Sequence, residues 1–237
     1  MDYEEFESGQ SKEIFWYKSK KNLVKVLMKK TCDNKKNLKI LNLGVGTGDD
    51  LEILRRWGEN YVIDINKKVL SLINDELVKE KKIGDACNLP YKDNFFDVVV
   101  SLDVFEHIKD DNKAANEVYR VLKNDGVLIF SVPSFQFLFS SHDKALNHER
   151  RYNKKTLYML LPNFNLKVFY WNSFLFIPFV VNRLIKRNSK PKVDKMNLPD
   201  WLNNLFYHLL NIENYLIEKD MSMPIGLSLV GYGFKKK

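Results

Sequence analysis

The chain has 237 residues, 45% of them hydrophobic and 29% charged, with a net charge of +8. That size and balance fit one soluble globular domain with a sizeable core. Its two cysteines, Cys32 and Cys87, lack metal-ligand spacing, so they read as free thiols in a reducing compartment and no metal is expected.

The first residues, MDYEEFESGQ, are acidic and lack the basic-then-apolar order of a secretory signal. The longest apolar run, Phe174 to Val181, falls far short of the roughly 20 residues a membrane-spanning helix needs. The expectation is a cytoplasmic protein, with peripheral contact at the inner membrane surface left open. The positive charge suits nucleic acid, an anionic membrane or an acidic substrate, and equally a lysine-rich solvated surface.

The pattern predicts an N-terminal helix at 12–30, with Trp16, Leu23 and Leu27 on one face. From Lys39 to Pro133, short Val/Ile/Leu-rich runs alternate with amphipathic stretches. KILNLG, NYVIDI, FFDVVVSL and GVLIFSV read as strands buried on both faces. DDLEILRRW reads as a helix, as does NKAANEVYRVLKN with Ala115, Val118, Tyr119 and Leu122 in line, stopped by Asn124-Asp125-Gly126. Such repeated units predict an α/β fold, a parallel sheet with helices on both faces. NLKVFYW is a further strand. A helical insertion follows at about 173–220, interrupted by a linker, NSKPKVDKMNLP, and ending in a helix with Leu202, Leu205, Phe206 and Leu209 on one face. GLSLVGYGF closes the chain as a strand. The expected layout is one domain over 1–237, with a cofactor-binding core at 38–133 and an acceptor-binding part at 134–237.

The stretch LNLGVGTGDD, Leu41 to Asp50, carries the strongest signal. A strand runs into Gly44, Gly46 and Gly48 and then into the predicted helix, the context in which open parallel sheets hold nucleotides. The order G-x-G-x-G departs from the dinucleotide fingerprint G-x-G-x-x-G, and no Gly-Lys-Ser/Thr follows. Asp49 and Asp50 stand where a pyrophosphate would bind and would repel it. A cationic nucleoside without phosphate fits better, and S-adenosylmethionine (SAM) has that chemistry. Asp64, ending the second strand, is placed to accept both ribose hydroxyls. Asp85, in GDACNLP, is placed to meet the adenine edge. Ile65, Ala86 and Leu102 complete the expected cofactor set.

The segments ILNLGVGTG, VIDIN, GDACNLPYKDNFFDVVVSLDVFEHI and VYRVLKNDGVLIFSVPS resemble, in order and spacing, the class I SAM-dependent methyltransferases, in particular the ubiquinone/menaquinone-methyltransferase-like type. IFWYKSKKNLV, HDKALNHERRY and PIGLSLVGYGFK resemble the flanks of a prokaryotic subgroup with a His-x-Arg-Arg-Tyr segment. The resemblance implies a Rossmann-like, seven-stranded sheet with an antiparallel last strand. It also implies a site over the strands' C-terminal ends and an N-terminal helix closing as a lid. The family carries an acid where this chain has Asn42, a loss that Asp49 is expected to offset.

Methyl transfer to oxygen calls for a proton acceptor, and histidine suits neutral pH. His107 follows the fourth strand; a catalytic and a packing role are both open. His142 and His148 lie where an acceptor should bind, among Asp143, Arg150, Arg151 and Tyr152. The arginines could clamp an acceptor anion or form an internal ion-pair cluster with Asp143 and Glu149. Trp16 is expected at the lid. The apolar stretch ending in Arg183, Lys186 and Arg187 is either a membrane-surface helix, giving contact through 171–195, or a buried cap. DNA is set aside, since SLDV stands where DNA amino-methyltransferases carry Asp/Asn-Pro-Pro-aromatic. The expected function is methyl transfer from SAM to a small, saccharide or lipid-linked acceptor at oxygen. An RNA-modifying enzyme and a non-catalytic scaffold are the alternatives.

Overall fold

The structure, a computed structural model, describes residues 14–185 and 198–236. Seven strands form one sheet: β1 (Leu38–Leu43), β2 (Gly58–Asp64), β3 (Glu80–Ile83), β4 (Phe96–Leu102), β5 (Leu122–Pro133), β6 (Phe164–Trp171) and β7 (Ser228–Lys235). Their order is β3-β2-β1-β4-β5-β7-β6. β7 runs antiparallel between β5 and β6, and the pairs from β3 through β5 are parallel.

The alternation along each central strand explains why they read as continuously apolar. Ile40, Val98, Val100, Val127 and Ile129 point into one core, and Leu41, Val99, Leu128 and Phe130 into the other. Helix α1 (Phe15–Cys32) and helix α8 (Asp200–Glu218) cover the first face. Helices α4 (Asp111–Val121) and α6 (Lys154–Leu160) cover the second. Between these lie α2 (Leu51–Leu54), α3 (Lys67–Leu72), α5 (Ser141–Ala145) and α7 (Phe176–Ile185).

Three local expectations need correction. The helix predicted from DDLEILRRW is one turn long, because β2 begins at Gly58 and the residues before it tighten into i→i+3 bonds, Arg56 N–H to Ile53 O and Trp57 N–H to Leu54 O. Asn124-Asp125-Gly126 does not stop a helix. α4 already ends at Val121, Leu122 pairs with Phe96, and the intervening residues bulge before pairing resumes at Val98 and Val127. On α8 the packed face is shifted. Leu205 is 46% exposed, whereas Leu210, Glu213, Asn214 and Ile217 are buried. The predicted linker lies mostly outside the described residues, as do Lys186 and Arg187.

α1 and α8 are joined by polar as well as apolar contacts. Trp171, fully buried, donates from Nε1 to Asn214 Oδ1 at 2.9 Å, and Asn214 Nδ2 donates to the Ser19 carbonyl at 2.9 Å. Phe15 meets Phe206 edge-on at 5.2 Å. No helix among the described residues is long and apolar enough to cross a membrane. Replacing Asn214 by Ala strands the Trp171 N–H in the interior, at a cost of about 1–3 kcal/mol. The expected outcome is a lowered urea midpoint with unchanged slope, read by far-UV circular dichroism.

Candidate active site

β1 and β4 are neighbours, while β2 lies on one side of them and β5 on the other, so the strand order reverses between them. Loops leaving two such strands diverge and leave a crevice at their C-terminal ends. A cavity of about 590 Å³ opens there. The glycine turn after β1 and the turn after β4 form its floor. α1 supplies Trp16, Lys20 and Val24 to its wall, and α8 supplies Leu202 and Phe206.

The turn after β1 is held left-handed, with φ +67° at Gly44, +52° at Gly46 and +66° at Gly48. A Cβ on Gly44 would lie 2.6 Å from Val104 Cγ2, so backbone and the β4 turn pack without room for a side chain. Gly44 N–H donates to the Ile63 carbonyl at 2.9 Å. Asn42, buried at the end of β1, donates from Nδ2 to Asp50 Oδ2 at 2.7 Å. That bond brings a carboxylate to the place where Asn42 itself has no charge. It also explains why Asp50 makes no side-chain cap to α2. Burial, with Asp49 adding repulsion, pushes Asp50 up to about 6, even though Asn42 stabilises its ionised form.

Asp64 and Asp85 end β2 and start the loop after β3. Neither lines the cavity; they stand beside it, toward the sheet edge. Asp64 Oδ1 accepts from Asn66 N–H at 2.8 Å, and the Gly46 backbone also bonds this carboxylate, tying β2 to the glycine turn. Burial raises its pKa despite these bonds. Asp85 accepts from Cys87 N–H at 2.8 Å, with Ala86 between them. Ile65 is 77% exposed although apolar, a flat surface next to Asp64. Together these residues fit a nucleoside. The glycines admit a close approach, Ile65 offers an apolar face, and Asp50 supplies negative charge beside the turn.

At the end of β4 come Leu102 and Asp103, the latter with φ +52°. Asp103 accepts from Ser131 Oγ at 2.7 Å and from Lys20 Nζ on α1. Burial opposes its ionisation, but Lys20 and Ser131 outweigh it and hold the carboxyl below its usual range. A single 3₁₀ turn, Phe105–His107, then places Glu106 and His107 on the cavity. Burial, with the Asp103 charge nearby, pushes Glu106 well above the ordinary carboxyl range. Burial and the adjacent His148 push His107 down to about 4, so its ring is neutral at physiological pH. His107 and His148 meet edge-on at 4.6 Å.

The structure sorts the dense segment after β5 into two groups. His142, His148 and Arg151 line the cavity. Asp143, Arg150 and Tyr152 do not. The acceptor-binding expectation therefore needs correction for these three, and the clamp expected of the two arginines is turned inward. Arg151 donates from Nε to Asp143 Oδ1 at 2.8 Å. Arg150 pairs with Asp111 at 2.8 Å and bonds the Ile108 carbonyl. Tyr152 donates to Asp111 Oδ2 at 2.8 Å. Asp143 also receives His148 Nδ1 at 2.9 Å and Arg183 at 3.2 Å. These cations, with the His148 bond, overcome its burial and hold it well below the carboxylate range. Arg183, at the end of a stretch read either as a membrane-surface helix or as a buried cap, is thus bound inside. Trp16 lines the cavity and packs on Trp171 at 4.8 Å.

Sequence reasoning did not single out Asp50, Asp103 or Glu106 as site residues. The signal for the last two was present: acids within one turn of a parallel strand's C-terminal end stand over the crevice.

Residues 41–130 match the model of the methyltransferase domain family. An uncharacterised protein of Methanocaldococcus jannaschii is 32% identical over 155 residues, 65% of this chain and 66% of that protein. A ubiquinone/menaquinone biosynthesis C-methyltransferase of Neisseria meningitidis is 34% identical over 111 residues, 42% of this chain and 44% of its own. The matches thus span less than two thirds of either relative's length. Among solved structures, a SAM-dependent methyltransferase from Archaeoglobus fulgidus superposes with a TM-score of 0.57 at 15% identity, covering 91% of this chain and 94% of that one. Phosphoethanolamine N-methyltransferase 2 of Haemonchus contortus, in complex with SAM, gives 0.60 at 18% identity, covering 91% and 52%. Sheet order, glycine turn and these matches agree: residues 41–130 form a methyltransferase domain, and the chain has the class I SAM-dependent methyltransferase fold.

Proposed function

We propose that this chain transfers a methyl group from SAM to an oxygen of a small, saccharide or lipid-linked acceptor. The observation that carries the reading is the continuity of one cavity, from the glycine turn and Asp50 to Glu106, His107 and His148. A ligand at the turn and an acceptor at the imidazoles share that space, and its volume suits a small molecule. Its apolar wall from α1, α7 and α8 favours an acceptor with a hydrophobic part. Exposed Ile177 on α7, at 74%, favours the lipid-linked class.

Each group has a distinct task. Gly44 and Gly46 let the backbone approach the cofactor, and Asp50 faces its cationic methionine end. Asp64 accepts the ribose hydroxyls, Asp85 and Ala86 border the adenine, and Ile65 covers its face. When bound, SAM supplies an electrophilic methyl on a sulfonium. α1 closes the cavity and excludes water, with Trp16 in its wall and Lys20 on Asp103. The acceptor oxygen is held at Glu106, His107 and His148, and His148 draws off its proton. His148 is the best oriented of these, since Asp143 fixes its Nδ1 and leaves Nε2 for the cavity. The layout of one domain, with a cofactor core at 38–133 and an acceptor part after it, follows from the same assignment.

Calorimetric titration with S-adenosylhomocysteine tests the cofactor half. Binding is expected without any response to NAD, weakened by about tenfold or more in Asp64→Ala, where charge-assisted hydrogen bonds are lost. A failure of the wild-type chain to bind would sink the reading. The same titration has a predicted pH dependence. Asp50, raised to about 6, is ionised above that pH and neutral below it. Affinity for the ligand, whose α-ammonium is its positive group, should therefore fall as pH drops through 6, by at most about tenfold per unit. Asp50→Asn should be weaker above pH 6, flat over that window, and level with the wild type below it. For the acceptor half, His148→Ala should lower methyl transfer into lipid or saccharide extracts by about a hundredfold or more. Its cofactor affinity should be unchanged.

A further inference from the structure

Glu106 is 1% exposed, and neither of its carboxyl oxygens has a hydrogen-bond partner from another described residue. A buried carboxyl left without a partner is costly, and a native fold keeps one where an ion or ligand completes it. Its neighbours are the kind that bind an ion. One ligand atom each from Glu106, His107 and His148 lies within 4.8 Å of the others.

The two imidazoles are held from behind. His148 Nδ1 is fixed by Asp143 Oδ1 at 2.9 Å, and Asp143 is itself anchored by Arg151, Arg183 and the Ser140 N–H. His107 is bonded by the Asn147 backbone. Each ring is thus oriented through one nitrogen and free at the other, as in histidine metal ligands backed by a carboxylate or carbonyl. The two segments are also locked together, with Glu149 N–H on the Glu106 carbonyl at 2.7 Å and His148 N–H on the Asp143 carbonyl at 2.9 Å. Nearby cations are engaged elsewhere, Lys20 by Asp103 and Arg151 by Asp143.

We propose that Glu106, His107 and His148 bind one divalent transition-metal ion at the cavity floor, with open coordination positions facing the cavity. Two imidazoles and one carboxylate suit Mn²⁺, Fe²⁺, Co²⁺ or Zn²⁺ better than Mg²⁺ or Ca²⁺. Metal–ligand bonds near 2.1 Å set donor–donor edges of roughly 3–3.5 Å, so small side-chain rotations close the present spacing. Resting on the acceptor site proposed above, the open positions take oxygen atoms of the acceptor. A hydroxyl, carboxylate or vicinal diol is the substrate chemistry that fits. In that state His148 holds the ion and does not act as a free base, and the ion lowers the pKa of the acceptor hydroxyl.

The test is calorimetry of the untagged, chelator-treated full chain with ZnCl₂ and with MnCl₂, joined to the visible spectrum of the Co²⁺ form. One saturable site is expected for the wild type, with tetrahedral or five-coordinate Co²⁺ absorption. Glu106→Gln and His107→Ala should each weaken binding by about tenfold or more. S-adenosylhomocysteine affinity, measured on the same samples, reports that the variants are folded. Absence of a saturable site at millimolar metal, or equal affinity in wild type and both folded variants, overturns the proposal. Metal failure with cofactor binding intact leaves the methyltransferase reading standing. Cofactor failure with metal binding intact removes that reading and leaves the ion site.

Discussion

The upper half of the molecule depends on one fully buried carboxylate, Asp143. It receives His148 and Arg151 from the loop between α5 and α6, Arg183 from α7 and the Ser140 N–H from its own turn. Three pieces of chain, the α5 turn, the loop after it and α7, are thereby fixed to each other. A single carboxylate can do this only because its partners satisfy both oxygens and supply opposite charge. Without it, two buried guanidinium groups would be left uncompensated, which costs more than the pairs themselves contribute. The orientation of His148, and so the chemistry of the cavity floor, follows from a group that never touches the cavity.

This arrangement also explains where sequence reading succeeded and where it stopped. The sheet was legible because residues such as Ile40, Leu41, Val98 and Val99 alternate between two buried faces, which a strand reports as an unbroken apolar run. The glycine turn was legible because three glycines at fixed spacing have few other uses. The segment His142 to Tyr152 was correctly marked as unusual, but its composition fits both a binding site and an ion-pair cluster. Only the fold decides that Arg150 reaches Asp111 and that Arg151 reaches Asp143. Arg183 stayed undecided for a related reason. A basic residue closing an apolar helix looks solvent-directed until a buried carboxylate from a distant segment is brought to it. Register errors were local. One turn of helix fits between Asp50 and Gly58 because β2 must start at Gly58 to pair with Leu38.

The substitution at Asn42 illustrates how charge can move along a chain without leaving a site. A carboxylate at the end of β1 would lie next to Asp50 and raise its pKa further. Asn42 removes that repulsion and donates a hydrogen bond to Asp50, keeping its negative charge at the turn. The position of the charge shifts by one side chain, while its distance from the glycines changes little. This is a reason to read Asn42 as a rearranged acid site and not as the mark of a lost one.

The cavity's remaining acids show a consistent pattern. Asp103 has Lys20 and Ser131, and Asp50 has Asn42 and stands where a cationic cofactor end fits. Behind the floor, Asp143 has Arg151, Arg183 and His148. Glu106 alone in this set is buried with no bonding partner for either oxygen from another described residue. The fold spends several well-formed contacts to hold His107 and His148 beside it. A purely structural glutamate at that position would be replaceable by an apolar residue of similar volume, with a gain in stability. Two oriented imidazoles would then have no common target. The arrangement makes physical sense when the three side chains act together on a cation that belongs to the working site.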